Sequence, residues 1–152
     1  MNRKLNELCT GDIKIHTIKP DETIKNAVDI LNKNRIGSLI VMDDNEKIYG
    51  ILSERDILIK LAETNVEDDI HNTAVREVMT KKEKLIVGNP DDTLEYLMNV
   101  MLENKIRHMP IVDENGKLKC LISIRDIIKF LLKESKQKVK YLRDYVQGKY
   151  PG

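Results

Sequence analysis

One heptapeptide occurs twice in this 152-residue chain, seventy residues apart: Gly50-Ile51-Leu52-Ser53-Glu54-Arg55-Asp56 and Cys120-Leu121-Ile122-Ser123-Ile124-Arg125-Asp126. Each copy reads as an apolar strand that ends in Ser-x-Arg-Asp and opens an apolar helix. The same offset, without a gap, sets Pro20-Asp21-Glu22-Thr23 on Pro90-Asp91-Asp92-Thr93 and Asn34-Arg35-Ile36 on Asn104-Lys105-Ile106. It also sets Asp43-Asp44-Asn45-Glu46-Lys47 on Asp113-Glu114-Asn115-Gly116-Lys117, and Cys9-Thr10 on Met79-Thr80. Two copies are too few for a solenoid. Neither copy alone can bury both faces of so small a sheet, so the halves are expected to pack about a pseudo-twofold axis.

Both copies predict the same element order. A lead-in strand (Ile13 to Ile18; Lys84 to Val87) reaches a proline turn. Thr23 or Thr93 then opens a helix with acidic residues near its start. Ile24, Ala27, Val28 and Leu31 recur at helical spacing, as do Leu94, Leu97, Met98 and Met101. An apolar strand (Leu39 to Met42; Met109 to Val112), a polar hairpin turn and a second strand (Ile48 to Leu52; Leu118 to Ile122) complete the run into the Ser-x-Arg-Asp helix. Each half is therefore β-α-β-β-α, and the fold class is α/β in the broad sense (α+β) with a C-terminal helical extension. Expected boundaries are 8–64 for the first motif, 65–77 for a linker, 78–134 for the second motif, and 135–152 for a C-terminal helix and tail. Val75 to Met79 could form one short helical turn. Met98, Met101 and Met109 are expected to fill the core. In the C-terminal helix, Val139, Leu142 and Val146 form a narrow apolar stripe, which suits packing on the domain's own surface or a dimer contact.

Composition excludes several classes of function. Lys+Arg and Asp+Glu nearly cancel, for a formal net charge of +1, and no long basic run argues for a nucleic-acid or membrane surface. Cys9 and Cys120 read as lone cysteines, neither a disulfide framework nor a Cys-x-x-Cys site, which suggests a reducing compartment. No apolar run suits a signal peptide or a membrane span, so a cytoplasmic protein is expected. His16, His71 and His108 lack metal-ligand spacing, so no metal is expected. There is no phosphate-binding glycine loop or dinucleotide fingerprint, and Ser53 and Ser123 have no base nearby in sequence. An enzyme is not expected.

Taken singly, Ser-x-x-Asp before an apolar run is a helix capping box. A helix start also presents unpaired N–H groups and partial positive charge to an anion. A Ser hydroxyl there can donate to a phosphate oxygen, and a carboxylate one turn on can accept from both hydroxyls of a ribose. Arg55 and Arg125 can neutralise phosphate or face solvent.

The whole chain resembles a tandem pair of CBS domains, the motif named after cystathionine β-synthase. The resemblance rests on the two Ser-x-Arg-Asp segments, Val78-Met79-Thr80 and Ile106-Arg107-His108-Met109-Pro110-Ile111-Val112, and covers roughly residues 8 to 134. It implies a regulatory module that binds adenosine-containing ligands (AMP, ADP, ATP, NAD or S-adenosylmethionine) and signals to a regulated protein or through its own homodimer. Carried over by position, one site joins Ser123, Arg125 and Asp126 to Thr10, Lys14, Ile15 and Ile36-Gly37-Ser38-Leu39. The second joins Ser53, Arg55 and Asp56 to Thr80, Lys84, Leu85 and Ile106-Arg107-His108-Met109-Pro110. Apolar residues and backbone would hold adenine, Asp the ribose, and Ser or Thr with a basic residue the phosphate.

Two departures from the family pattern make the sites unequal. Cys120 stands where a glycine usually precedes Ser-x-x-Asp. Gly37-Ser38 faces Arg107-His108 across the repeat, so the site containing the latter pair is expected to prefer the more phosphorylated ligand. A ligand-independent dimerisation module remains the alternative from another class.

Overall fold

A computed structural model describes residues 3–10 and 15–148. In chain order its elements are α1 (Arg3–Thr10), β1 (Thr17–Ile18), α2 (Ile24–Asn34), β2 (Ser38–Met42), β3 (Ile48–Ser53), α3 (Glu54–Glu63), β4 (Thr80–Lys81), α4 (Leu94–Glu103), β5 (His108–Val112), β6 (Leu118–Ser123) and α5 (Ile124–Val146). The chain divides into two compact units. One is Lys14–Ile86; the other combines Met1–Ile13 with Val87–Gly152.

The unit Lys14–Ile86 is built on a four-stranded sheet in the order β1-β2-β3-β4. Strand β1 runs parallel to β2, while β2–β3 and β3–β4 are antiparallel. Helix α2 starts at Thr23, whose hydroxyl oxygen accepts from the Asn26 amide at 3.2 Å, and ends at Arg35 in the left-handed region (φ 51°). Its buried stripe is Ile24, Ala27 and Leu31, set against Leu39, Val41 and Leu52, with Ile57 and Val75 closing the core. Val28 is not part of that stripe; it is 38 % exposed. Between α3 and β4 the polar segment is stitched to the β1–α2 turn. There the amides of Ile24, Val75 and Arg76 donate to Thr73, Glu22 and Pro20 carbonyls, and Arg76 pairs with Asp21. The expected short turn after the linker is a 3-10 turn at Val75–Glu77.

In the other unit, β5 and β6 form an antiparallel ribbon covered by α4, α5 and α1. Its buried side chains are Leu5, Leu94, Leu97, Met101, Met109, Ile111, Cys120, Ile122 and Ile127. Met98 is only half-buried. The lead-in expected at Lys84 to Val87 does not form a strand. Lys82–Lys84 is a 3-10 turn, and only Gly88 bridges to Ile111. The cause is Pro110. In the first copy its counterpart Ile40 donates its amide to His16 and holds β1 parallel to β2. A proline has no such donor.

Helix α5 runs unbroken for 23 residues from its Ser123 cap. Val139, Leu142 and Val146 are 52 %, 60 % and 84 % exposed, so the stripe does not pack on the protein's own surface. No described helix is long and apolar enough to cross a membrane.

Cys9 and Cys120 are not lone thiols: they are joined in a disulfide with Cα atoms 5.7 Å apart. A sequence separation of 111 hides the pairing. The duplication explains it, since Cys9 and Cys120 correspond to Met79 and Gly50. In the other unit the Met79 sulfur lies 3.3 Å from where a Cβ on Gly50 would sit.

The two hairpin turns repeat in detail. Asp43 Oδ1 accepts from the Asn45 and Lys47 amides, and Asp113 Oδ1 from those of Asn115 and Lys117, all at 2.9 Å. The Lys117 amide, assisted by the Asn115 amide and Lys119 against partial desolvation, holds the Asp113 carboxyl below the ordinary carboxylate value. The turns differ at the left-handed position, occupied by Gly116 (φ 77°) in one and Glu46 (φ 62°) in the other. A left-handed conformation is costly for a residue with a Cβ. Glu46→Gly is therefore expected to stabilise the protein by about 1 kcal/mol and Gly116→Ala to destabilise it by a similar amount. Urea denaturation midpoints check both, and a lower midpoint for Glu46→Gly would contradict the account.

Candidate functional site

Strand β3 delivers Ser53 to the first position outside α3 with extended backbone, which leaves its side chain free to fold over the helix start. The Asp56 amide donates to Ser53 Oγ at 3.2 Å, while the Ser53 amide and hydroxyl donate to Asp56 Oδ2 at 2.9 and 3.0 Å. The opposite oxygen, Oδ1, accepts from the Thr80 hydroxyl at 3.1 Å. Thr80 reaches it because β4 lies antiparallel to β3, with Thr80 opposite Ile51 and Lys81 opposite Gly50. That approach requires glycine, since a Cβ at Gly50 would sit 2.1 Å from the Thr80 carbonyl oxygen. The Glu54 amide donates to the Gly37 carbonyl, which fixes the loop before β2 against the same helix start.

The second copy builds the same cap. The Asp126 amide donates to Ser123 Oγ at 3.0 Å, and the Ser123 amide and hydroxyl donate to Asp126 Oδ2 at 3.1 and 2.7 Å. The Ile124 amide donates to the Arg107 carbonyl, as Glu54 does to Gly37. Thr10 breaks the likeness. It is the last residue of α1, exposed, and its hydroxyl donates to the Asn6 carbonyl at 2.7 Å. No described donor reaches Asp126 Oδ1.

The unit Lys14–Ile86 thus holds Ile15, Ile36, Gly37, Ser38, Leu39, Ser53, Arg55, Asp56, Thr80, Lys84 and Leu85; the other holds Thr10, Ile106, Arg107, His108, Met109, Pro110, Ser123, Arg125 and Asp126. Lys14 lies outside the described residues. Arg55, Arg125, Arg107 and Lys84 are exposed, and Met109 and Pro110 are buried. Ser38 is 3 % exposed, pairs in register with Ser53, and its hydroxyl has no partner among the described residues. Sequence reasoning overlooked Lys81 and Lys82, exposed residues that follow Thr80 in the chain; the run Thr80-Lys81-Lys82-Glu83-Lys84 was the available signal.

Chemically, each cap offers a carboxylate whose geometry is held by its own helix start. An ionised carboxylate only accepts hydrogen bonds and has room for about four. It suits a vicinal diol, which has two hydroxyls to donate. In the first copy Thr80 stands ready as a hydroxyl donor beside it, followed by Lys81 in the strand and Lys82 and Lys84 in the turn after it.

The family model for the CBS domain matches this chain twice, over residues 10–63 and 75–133. Among curated relatives, an uncharacterised 17.7 kDa protein of Acidianus ambivalens is 34% identical over 133 residues, 87% of this chain and 75% of that protein. The inosine-5′-monophosphate dehydrogenase of Aquifex aeolicus is 38% identical over 113 residues, 74% of this chain but only 22% of the relative. Among solved structures, a CBS-domain containing protein from Agrobacterium tumefaciens superposes with a TM-score of 0.72 at 30% identity, covering 82% of this chain and 95% of that one. CBSX2, solved in complex with AMP, gives a TM-score of 0.68 at 25% identity, covering 80% and 90%.

If the Gly50 approach positions Thr80, Gly50→Ala is expected to destabilise by about 1–3 kcal/mol, as overpacking does. It should also remove hydrogen-exchange protection from β4 before that of β2. Unchanged protection at Thr80 and Lys81 would refute the role given to Gly50.

Proposed function

The chain belongs to the CBS domain family, as a tandem pair, and on that premise we propose that it is a regulatory module that binds an adenine nucleotide through its two Ser-x-x-Asp caps. The observation that carries this reading is the carboxylate of Asp56, held by its own cap on one oxygen and approached by the Thr80 hydroxyl on the other. Ribose hydroxyls donate to Asp56, while Thr80 turns its hydroxyl to a phosphate. Asp126 does the same for ribose in the second copy. The segments Ile36–Leu39 and Ile106–Pro110 supply the apolar and backbone groups for the base. The AMP complex of CBSX2 supports an adenosine ligand, since its fold and a quarter of its aligned residues are shared.

Lysines 81, 82 and 84 near Thr80 favour additional phosphates at the Asp56 site. Signalling requires that the ligand bind two conformations with different affinity, and the readout is a partner protein or a homodimer. No metal is assigned a role.

Thermal and denaturant unfolding with AMP, ATP, NAD and S-adenosylmethionine tests the proposal. A ligand at a hundredfold its dissociation constant is expected to add about 2.7 kcal/mol. Asp56→Ala should weaken ATP more than AMP, and Asp126→Ala should weaken AMP at least as much as ATP. No shift with any of the four, in folded and ligand-free protein, would leave the dimerisation module as the better account.

A further inference from the structure

The two copies differ most where Cys9 and Cys120 replace Met79 and Gly50. Gly50 lets Thr80 lie along β3 and reach Asp56. Cys120 carries the Cβ that this approach excludes. In its unit the corresponding segment is helical as far as Thr10, the Thr10 hydroxyl turns back to Asn6, and Cys9 is bonded to Cys120. Cys120 lies in β6 just ahead of Ser123, so the bond ties the end of α1 to the strand that delivers the cap.

We propose that Cys9–Cys120 is a regulatory thiol–disulfide site: oxidised, it pins the C-terminal end of α1 to β6 and holds Thr10 away from Asp126. Reduced, it frees that end, so that Thr10 approaches Asp126 from off the strand path that the Cys120 Cβ blocks and strengthens ligand binding there. The ligand half rests on the nucleotide reading above. The reactant is a dithiol reductant. Its thiolate attacks the Cys9 sulfur, which is half-exposed, because Cys120 is only 1 % exposed. Cys120 leaves as a thiolate and takes a proton. The second reductant thiolate then attacks the mixed disulfide, Cys9 is released as a thiol, and the reductant departs as its own disulfide. Two electrons and two protons pass to the protein. Helix α1 stays docked through buried Leu5 and the Lys4–Glu134 ion pair of 3.4 Å, so the released part is its C-terminal end. The unit Lys14–Ile86 has no cysteine, and its Asp56 site serves as an internal control.

The test uses the full chain, oxidised or treated with dithiothreitol, with AMP as probe. Alkylation after unfolding in denaturant should label no cysteine of the oxidised protein and both of the reduced one. Hydrogen exchange at residues 8–10 should rise at least tenfold on reduction. In an Asp56→Ala background, where only the Asp126 site remains, AMP affinity should rise about tenfold, a typical size for coupled sites. In Asp126→Ala it should not change. Cys9→Ser should bind as the reduced protein does and ignore dithiothreitol. Cys120→Gly, which removes the obstructing Cβ, should bind tighter still. Two labelled cysteines in the oxidised protein, or AMP affinity equal in both states, would overturn the proposal. Altered exchange with no AMP binding in any state would overturn the nucleotide reading while supporting the disulfide as a redox control of α1.

Discussion

An aspartate three residues past an N-cap serine holds both copies together at their most informative point. One carboxylate oxygen collects the serine amide and hydroxyl, and the serine oxygen in turn satisfies the aspartate amide. Capping boxes of this kind contribute about 1 kcal/mol each. Their larger effect is positional. Strand, cap and helix become one rigid corner, so the second carboxylate oxygen points in a direction set by β3 or β6 and not by a flexible loop. Whatever approaches that oxygen, Thr80 in one copy, meets an acceptor whose orientation is already fixed.

Most of the element order was legible because local rules and the duplication agreed. Threonine caps, proline turns and Asp-anchored hairpins fall where the repeat places them, and the ends of β2, β3, β5 and β6 differ by a single residue. The lead-in expected from Ile13, by contrast, is a strand only at Thr17–Ile18, Ile13 itself lying outside the described residues. The failures have particular causes. Pro110 cannot donate an amide, so one lead-in strand shrinks to a bridge, a loss visible only after β5 is placed beside it. Val28 obeys helical spacing yet faces outward, since spacing gives a stripe's direction but not its width. The cysteine pair follows from the repeat only once the fold sets Met79 against Gly50, since the offset then sets Cys9 against Cys120. At the candidate site, the caps could be read directly, whereas Thr80 on Asp56 depends on a strand pairing that no local pattern encodes.

Repeat boundaries and packing boundaries do not coincide. The family match ends its first copy at residue 63 and begins its second at 75, yet Lys14–Ile86 clusters as one unit and Met1–Ile13 joins the other. The first residues of the second match therefore pack with the first repeat's strands, β4 on β3, and the helix α1 that leads into the first match packs beside β6 of the second. The Asp56 cap consequently has as its neighbour a threonine from the other repeat, whereas Thr10, its counterpart in the other unit, turns back to Asn6.

Helix α5 begins at the Ser123 cap and continues without a break to Val146, a rod of about 35 Å at 1.5 Å per residue. Its root and its tip belong to one stiff body. A tilt of about 10° at the capped end sweeps the far end through about 6 Å, simply from that length. Any tilt of the capped end would be carried at full angle to Leu142 and Val146, where exposed apolar side chains are displayed to solvent. The helix is a lever whose short arm is a hydrogen-bonded corner.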